Sequence, residues 1–118
     1  MIIGVGVDLV DLTRFENKLK QTPALIERLF TQSERSGATA SLAGYWASKE
    51  ALIKALGNPI GLNFQDVTVA HDSLGKPALQ VSGATATRAT EMGITSWHVS
   101  ISHDGGMVCA MVVAEGGN

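Results

Sequence analysis

The segment MVCAMVV, Met107 to Val113, restricts the fold of this chain more than any other. Side chains alternate along a strand, and here both parities are apolar, so a strand over Met107 to Ala114 has to be covered on both faces. A chain of 118 residues buries one core but not two, and is short of layers for the second cover. Two solutions are open: helices that sandwich the strand, or a neighbouring subunit on one face.

The rest of the chain supplies partners for that strand. Ser96 to Ser102 pairs with it through the turn HDGG. A second hairpin is expected from Asp66 to Ala70 and Ala78 to Ser82, joined by HDSLGKP. The opening MIIGVGVDL has no basic region, and Asp8 ends its apolar run, so Ile2 to Val10 reads as a buried strand rather than a signal peptide or membrane span. Asp11 is placed to cap a helix over DLTRFENKLKQ, Pro23 opens a second at ALIERLF, and Thr31 with Glu34 has the spacing of a capping box. The long helix runs from Ser41 to Leu56 and stops at Gly57; a short one, Ala84 to Met92, stops at Gly93. GNPIGLN is a loop, and the final EGGN reads as a frayed tail. Strands at the ends, helices between them and two hairpins predict an α+β fold: a largely antiparallel sheet with the long helix packed on it, in one domain over residues 1–118.

Charge and cysteine usage narrow the function. The net charge of −2 provides no global basic field for nucleic acid, so an anionic partner must meet a local patch. One cysteine excludes an internal disulfide framework and suits a reducing cytoplasm.

Charges stand where apolar residues belong in WASKEALIKALG, Trp46 to Gly57. At 100° per residue, Leu42, Ala43, Ala47, Ile53 and Leu56 fall in one arc with Trp46, and Glu50 and Lys54 fall inside it, while Ser48, Leu52 and Ala55 lie opposite. Either Glu50 and Lys54 form a solvated i,i+4 pair, worth about 0.2–0.5 kcal/mol, or Glu50 meets a cation in a partly buried place. Lys54 and a metal ion are both candidates. Asp8 raises the same question, since it shares a strand face with Gly4 and Gly6, which leave room for something to approach the backbone, while Ile3, Val5, Val7 and Leu9 take the other. It either caps the following helix or joins Glu50. Two carboxylates without an imidazole or thiolate cluster suit a hard ion such as Mg²⁺. His71, His98 and His103 have no paired spacing with Cys109, which argues against zinc and leaves Cys109 a structural thiol. Ser102 and His103 stand at a strand end, either half-solvated or turned to an anionic ligand, and Gly75, Lys76 and Pro77 form a turn that could contact one. P-loop, dinucleotide fingerprint and nucleophile elbow are all missing.

Taken in order, GVDLV at the start, FT..E, WASKEALIKALG, GKP and SISH resemble the holo-acyl-carrier-protein synthases, the short bacterial 4′-phosphopantetheinyl transferases. The resemblance spans nearly the whole chain. It implies an enzyme of fatty acid biosynthesis in the cytoplasm that moves the 4′-phosphopantetheine arm of coenzyme A onto a serine of apo acyl carrier protein and releases adenosine 3′,5′-bisphosphate. By position, Asp8 and Glu50 would ligate Mg²⁺ with the pyrophosphate of coenzyme A, and Lys54 would bind phosphate or help remove the serine proton. Ser102, His103 and the Gly75, Lys76, Pro77 turn would line the nucleotide pocket, with Lys49 as a further phosphate contact. Arg14, with Lys18 four residues on, would meet the acidic carrier protein. The resemblance also implies a homotrimer with the cleft between subunits, which would cover the doubly apolar strand.

Two departures stand out. Many relatives have an arginine where this chain has Tyr45, and a glycine where it has Pro59; the first weakens or moves the grip on the 3′-phosphate. Two other functions use the same residues: a Mg²⁺-dependent hydrolase of nucleotide-like diphosphates, and a non-catalytic oligomeric module in which Asp8 and Glu50 are structural.

Overall fold

The computed structural model describes residues 1–117. The chain runs β1 (Ile2–Asp11), α1 (Leu12–Gln21), α2 (Leu25–Leu29), a 3-10 turn (Gln32–Glu34), α3 (Thr39–Ala55), a second 3-10 turn (Phe64–Asp66), β2 (Val67–His71), β3 (Pro77–Val81), α4 (Gly83–Glu91), β4 (Ile94–Asp104) and β5 (Met107–Gly116). An antiparallel sheet has the order β1-β5-β4, and β2 and β3 form a separate antiparallel hairpin. The fold is α+β, as expected, with element ends within about two residues of those predicted from sequence. The Asp11 carboxylate accepts from the Arg14 amide at 2.9 Å to start α1, and Thr31 with Glu34 closes the capping box. The tail is the exception. Glu115 pairs with Ile2 and Ser96, and the Gly116 amide donates to the Met1 carbonyl at 2.7 Å, so both belong to β5. Asn118 of the expected frayed tail lies outside the described residues.

The inner face of the sheet is built from small side chains. Gly4, Gly6, Asp8 and Val10 of β1 lie beside Ala114, Val112, Ala110 and Val108 of β5, and this face packs on α3. A Cβ added at Gly4 would collide with the Ala55 carbonyl, and one at Gly6 with the Ala51 carbonyl. What approaches the glycines is therefore the backbone of α3 itself. Helix α3 is covered on its far side too, by Phe30, Val67 and neighbouring residues of the core. That corrects the expected outer face: Ser48, Leu52 and Ala55 are buried, with the Ser48 hydroxyl donating to the Gly44 carbonyl at 2.8 Å. The less buried strip is Trp46, Glu50 and Lys54, one turn apart from each other.

The outer face of the sheet is open. Val5, Val7 and Leu9 of β1 and Met107 and Met111 of β5 are 37% to 63% exposed, although all are apolar. Of the two covers considered for β5, helices supply one only.

Candidate active site

The close approach of α3 to β1 decides where three charges meet. Because the helix backbone at Ala51 and Ala55 rests on Gly6 and Gly4, their neighbours Glu50 and Lys54 come to the end of β1 that carries Asp8. Lys54 Nζ donates to Asp8 Oδ1 at 3.0 Å and to the Val7 carbonyl at 3.0 Å. The ammonium thus reaches across to the strand, and the i,i+4 pair with Glu50 is replaced by a tertiary one. Among the described residues no protein donor hydrogen-bonds Glu50. Burial, and then the neighbouring charge of Asp8, push the Glu50 carboxyl above the usual range, with Lys54 pulling the other way.

These groups open into a cleft of about 500 Å³ lined by Asp8, Arg14, Lys18, Trp46, Glu50 and Lys54. Arg14 and Lys18 stand on one face of α1, so the cleft has acids at its base and cations on one wall. Two converging carboxylates, one of them still lacking a donor, are a hard-cation donor set. No group of three or more His, Cys, Asp and Glu gathers among the described residues, so an ion held here would take its other ligands from water and from substrate oxygens.

Lys49 points the other way, and its expected phosphate contact is corrected by its burial. Its Nζ lies 2.7 Å from Glu34 Oε1, with neither side chain exposed, donates to the Phe64 carbonyl at 3.1 Å and sits 5.5 Å from the centre of the Phe30 ring. Glu34 also accepts from the Thr31 and Val69 amides, both at 2.8 Å. Every strong partner of Lys49 is internal, so it ties α3 to the 3-10 turn and β2. Burial pushes the Lys49 ammonium below its ordinary value, and the hydrogen bond and charge of Glu34 oppose that. Sequence spacing shows half of this network: the capping box marks Glu34, but nothing local links it to a lysine fifteen positions on.

Ser102, His103 and the Gly75–Pro77 turn do not line the acidic cleft of the same protomer. Ser102 pairs in register with Cys109 on the open sheet face. His103 lies on the helix side, its Nε2 3.1 Å from the Ala40 carbonyl, in a smaller cleft of about 160 Å³ with Ser41, Tyr45, His71 and Pro77. Sequence reading missed the contact of Tyr45 with His71, whose ring centres are 5.8 Å apart; an arginine at position 45 would carry its charge to this place. Gly75, at φ 81°, completes a turn held by Asp72. The Asp72 carboxylate accepts from the Lys76 and Leu74 amides at 2.9 Å each, and these bonds hold its pKa below the ordinary value.

With this geometry in place, comparison with known sequences is decisive: the sequence profile of the 4′-phosphopantetheinyl transferase superfamily matches residues 4–112. The chain belongs to that superfamily. It is similar to the holo-[acyl-carrier-protein] synthase of Clavibacter sepedonicus, with 52% identity over 116 residues, covering 98% of each chain. Among solved structures, holo-[acyl-carrier-protein] synthase from Neisseria meningitidis superposes with a TM-score of 0.89 at 34% identity, over 98% of this chain and 99% of that one. The Helicobacter pylori holo-[acyl-carrier-protein] synthase, solved in complex with coenzyme A, gives 0.83 at 32% identity, over 94% and 99%. By family the chain is a phosphopantetheinyl transferase, and thus an enzyme. No helix among the described residues is long and apolar enough to cross a membrane.

Proposed function

We propose that this phosphopantetheinyl transferase moves the 4′-phosphopantetheine arm of coenzyme A onto a serine of an apo acyl carrier protein in the cytoplasm, with one Mg²⁺ ion held by Asp8 and Glu50, releasing adenosine 3′,5′-bisphosphate. The observation that carries the reading is the meeting of these two carboxylates at the base of a cleft with one basic wall. Coenzyme A is the ligand of the Helicobacter pylori relative, and the relatives' shared name supplies the acceptor.

When bound, the ion neutralises the pyrophosphate and aligns it for displacement. Asp8 and Glu50 hold it from two elements whose spacing is fixed by the glycine contact between β1 and α3. Lys54, one turn beyond Glu50, offers an ammonium to the transferring phosphate. Arg14 and Lys18 draw the acidic carrier to the mouth of the cleft, so that its serine arrives beside the phosphate; electrostatic attraction of this kind acts mainly on the encounter rate. The carrier's serine is itself the nucleophile, so the chain needs none.

Ser102, His103 and the Gly75–Pro77 turn line the nucleotide part of the pocket in this reading, and reach it from a neighbouring subunit of a homotrimer. The open apolar face of β1 and β5 supports that assembly. Burying a side chain of the Val, Leu or Met kind is worth about 1.5–3 kcal/mol, so five half-exposed ones favour association by several kcal/mol before its entropy cost.

Mass spectrometry of an apo carrier protein incubated with the enzyme, coenzyme A and Mg²⁺ tests the reading. A mass gain of one phosphopantetheine, absent without Mg²⁺ or with Asp8→Ala, is expected. An unchanged mass across several carriers would remove the transferase assignment, and cleavage of coenzyme A without any carrier would favour a hydrolase.

A further inference from the structure

We propose that Lys54 stands in for the divalent ion at Asp8, and that the ion's arrival expels its ammonium from that carboxylate and frees it to face the substrate phosphate. This rests on the metal reading above and adds an order to it: ion first, then a lysine released for the anion.

Four observations carry the inference. First, Lys54 bonds Asp8 Oδ1 at 3.0 Å rather than Glu50, its neighbour one turn back. Asp8, whose side chain is 17% exposed, is therefore compensated while Glu50 is left without a donor. Second, one ammonium cannot neutralise two carboxylates. The pair keeps a net negative charge that a divalent ion would satisfy, and an ion on either oxygen of Asp8 would stand close to the ammonium bonded to Oδ1.

Third, the strand and helix backbones are already in contact and cannot come closer, because Gly4 and Gly6 lie against Ala55 and Ala51 without space for a Cβ. The carboxylates stay in place, and the mobile party is the lysine, whose side chain is 47% exposed on the cleft side. Fourth, its second bond, to the Val7 carbonyl at 3.0 Å, involves no group that would ligate the ion. That bond can serve as a pivot, keeping the ammonium at the cleft after it leaves Asp8. Like-charge repulsion from the ion drives it outward, and among the described residues the other cations lining the cleft, Arg14 and Lys18, stand on α1. The exchange makes Lys54 a competitor of the metal and, once displaced, a ligand of the phosphate.

The test titrates Mn²⁺ alone into the full-length enzyme, by water-proton relaxation, for the unmodified chain and for Lys54→Met, with circular dichroism checking the fold of both. Removal of the competing ammonium should tighten Mn²⁺ binding by about fivefold, the scale of a partly exposed ion pair. In the unmodified protein, which needs no substitution to fold, the Lys54 ε-methylene NMR signals should shift on addition of Mg²⁺, and Asp8→Asn should abolish the response. Equal or weaker Mn²⁺ binding by Lys54→Met, or Lys54 signals unmoved at saturating Mg²⁺, would overturn the exchange and leave the metal site standing. Absence of Mn²⁺ binding in both chains would overturn the exchange and the metal reading together.

Discussion

Replacing Gly6 with alanine should pull the acidic cleft apart without altering any charged group. The added Cβ would collide with the Ala51 carbonyl, so α3 has to retreat from β1 by more than about 1 Å before the contact becomes tolerable. Overpacking of this kind costs about 1–3 kcal/mol, which a denaturant titration of the purified protein would read. Glu50 is next to Ala51 and retreats with it, away from Asp8. A misplacement of about 1 Å in a catalytic constellation costs on the order of 100-fold in rate, read as the initial rate of carrier modification by mass spectrometry. Gly117→Ala is the control, since its new Cβ meets nothing nearer than Thr95 at 3.5 Å. If Gly6→Ala lost stability but kept its full rate, helix–strand spacing would not be what sets the site; if it kept both, the close contact itself would be refuted.

Lys49→Met should cost about 3–5 kcal/mol by leaving Glu34 buried without its cation, and Lys49→Met combined with Glu34→Gln should recover most of that; equal losses in the single and double variants, by denaturant titration, would contradict the pairing. The folded-state pKa of Glu50 is raised, so its ionisation lowers stability as pH rises through that value, and the loss is absent below the unfolded value near 4.5. Glu50→Gln should therefore stabilise the metal-free protein at pH 7.5 by no more than about 1 kcal/mol once solvent screening is counted, with the advantage fading towards pH 4.5; a constant difference across thermal melts at these pH values would refute it. Met111→Lys puts a charge in the centre of the open apolar face, and sedimentation should show the proposed homotrimer reduced to monomers; a sedimentation coefficient equal to that of the unmodified protein would contradict an interface on this face.

Much of this was legible in the sequence because the deciding signals were local. Alternation marked the faces of β1 and β5, glycine and proline marked the turns, and the charges at Asp8, Glu50 and Lys54 were visible as breaks in apolar patterns. Their partners were less legible. For Glu50 and Lys54 the i,i+4 pair stayed open beside a cation site because helical spacing sees only one helix, whereas the ammonium bonds β1 from more than forty positions away. Lys49 was given a phosphate contact by the resemblance alone, because neighbours in sequence cannot reveal that Glu34, Phe64 and Phe30 surround it. Ser48 and Leu52 read as an outer face because a helix buried on most of its circumference has only a weak apolar stripe to detect. The question of a second cover for β5, by contrast, was visible in a strand apolar at both parities and a chain with few layers, although sandwiching helices and a neighbouring subunit both remained open.

The most direct test of the site counts Mn²⁺ ions bound per protomer in the presence of coenzyme A, by electron paramagnetic resonance, for the unmodified enzyme, Asp8→Asn and Glu50→Gln. One ion per protomer is expected in the unmodified enzyme and none at the same metal concentration in either folded variant. Undiminished binding in both variants would mean that the two carboxylates do not share an ion.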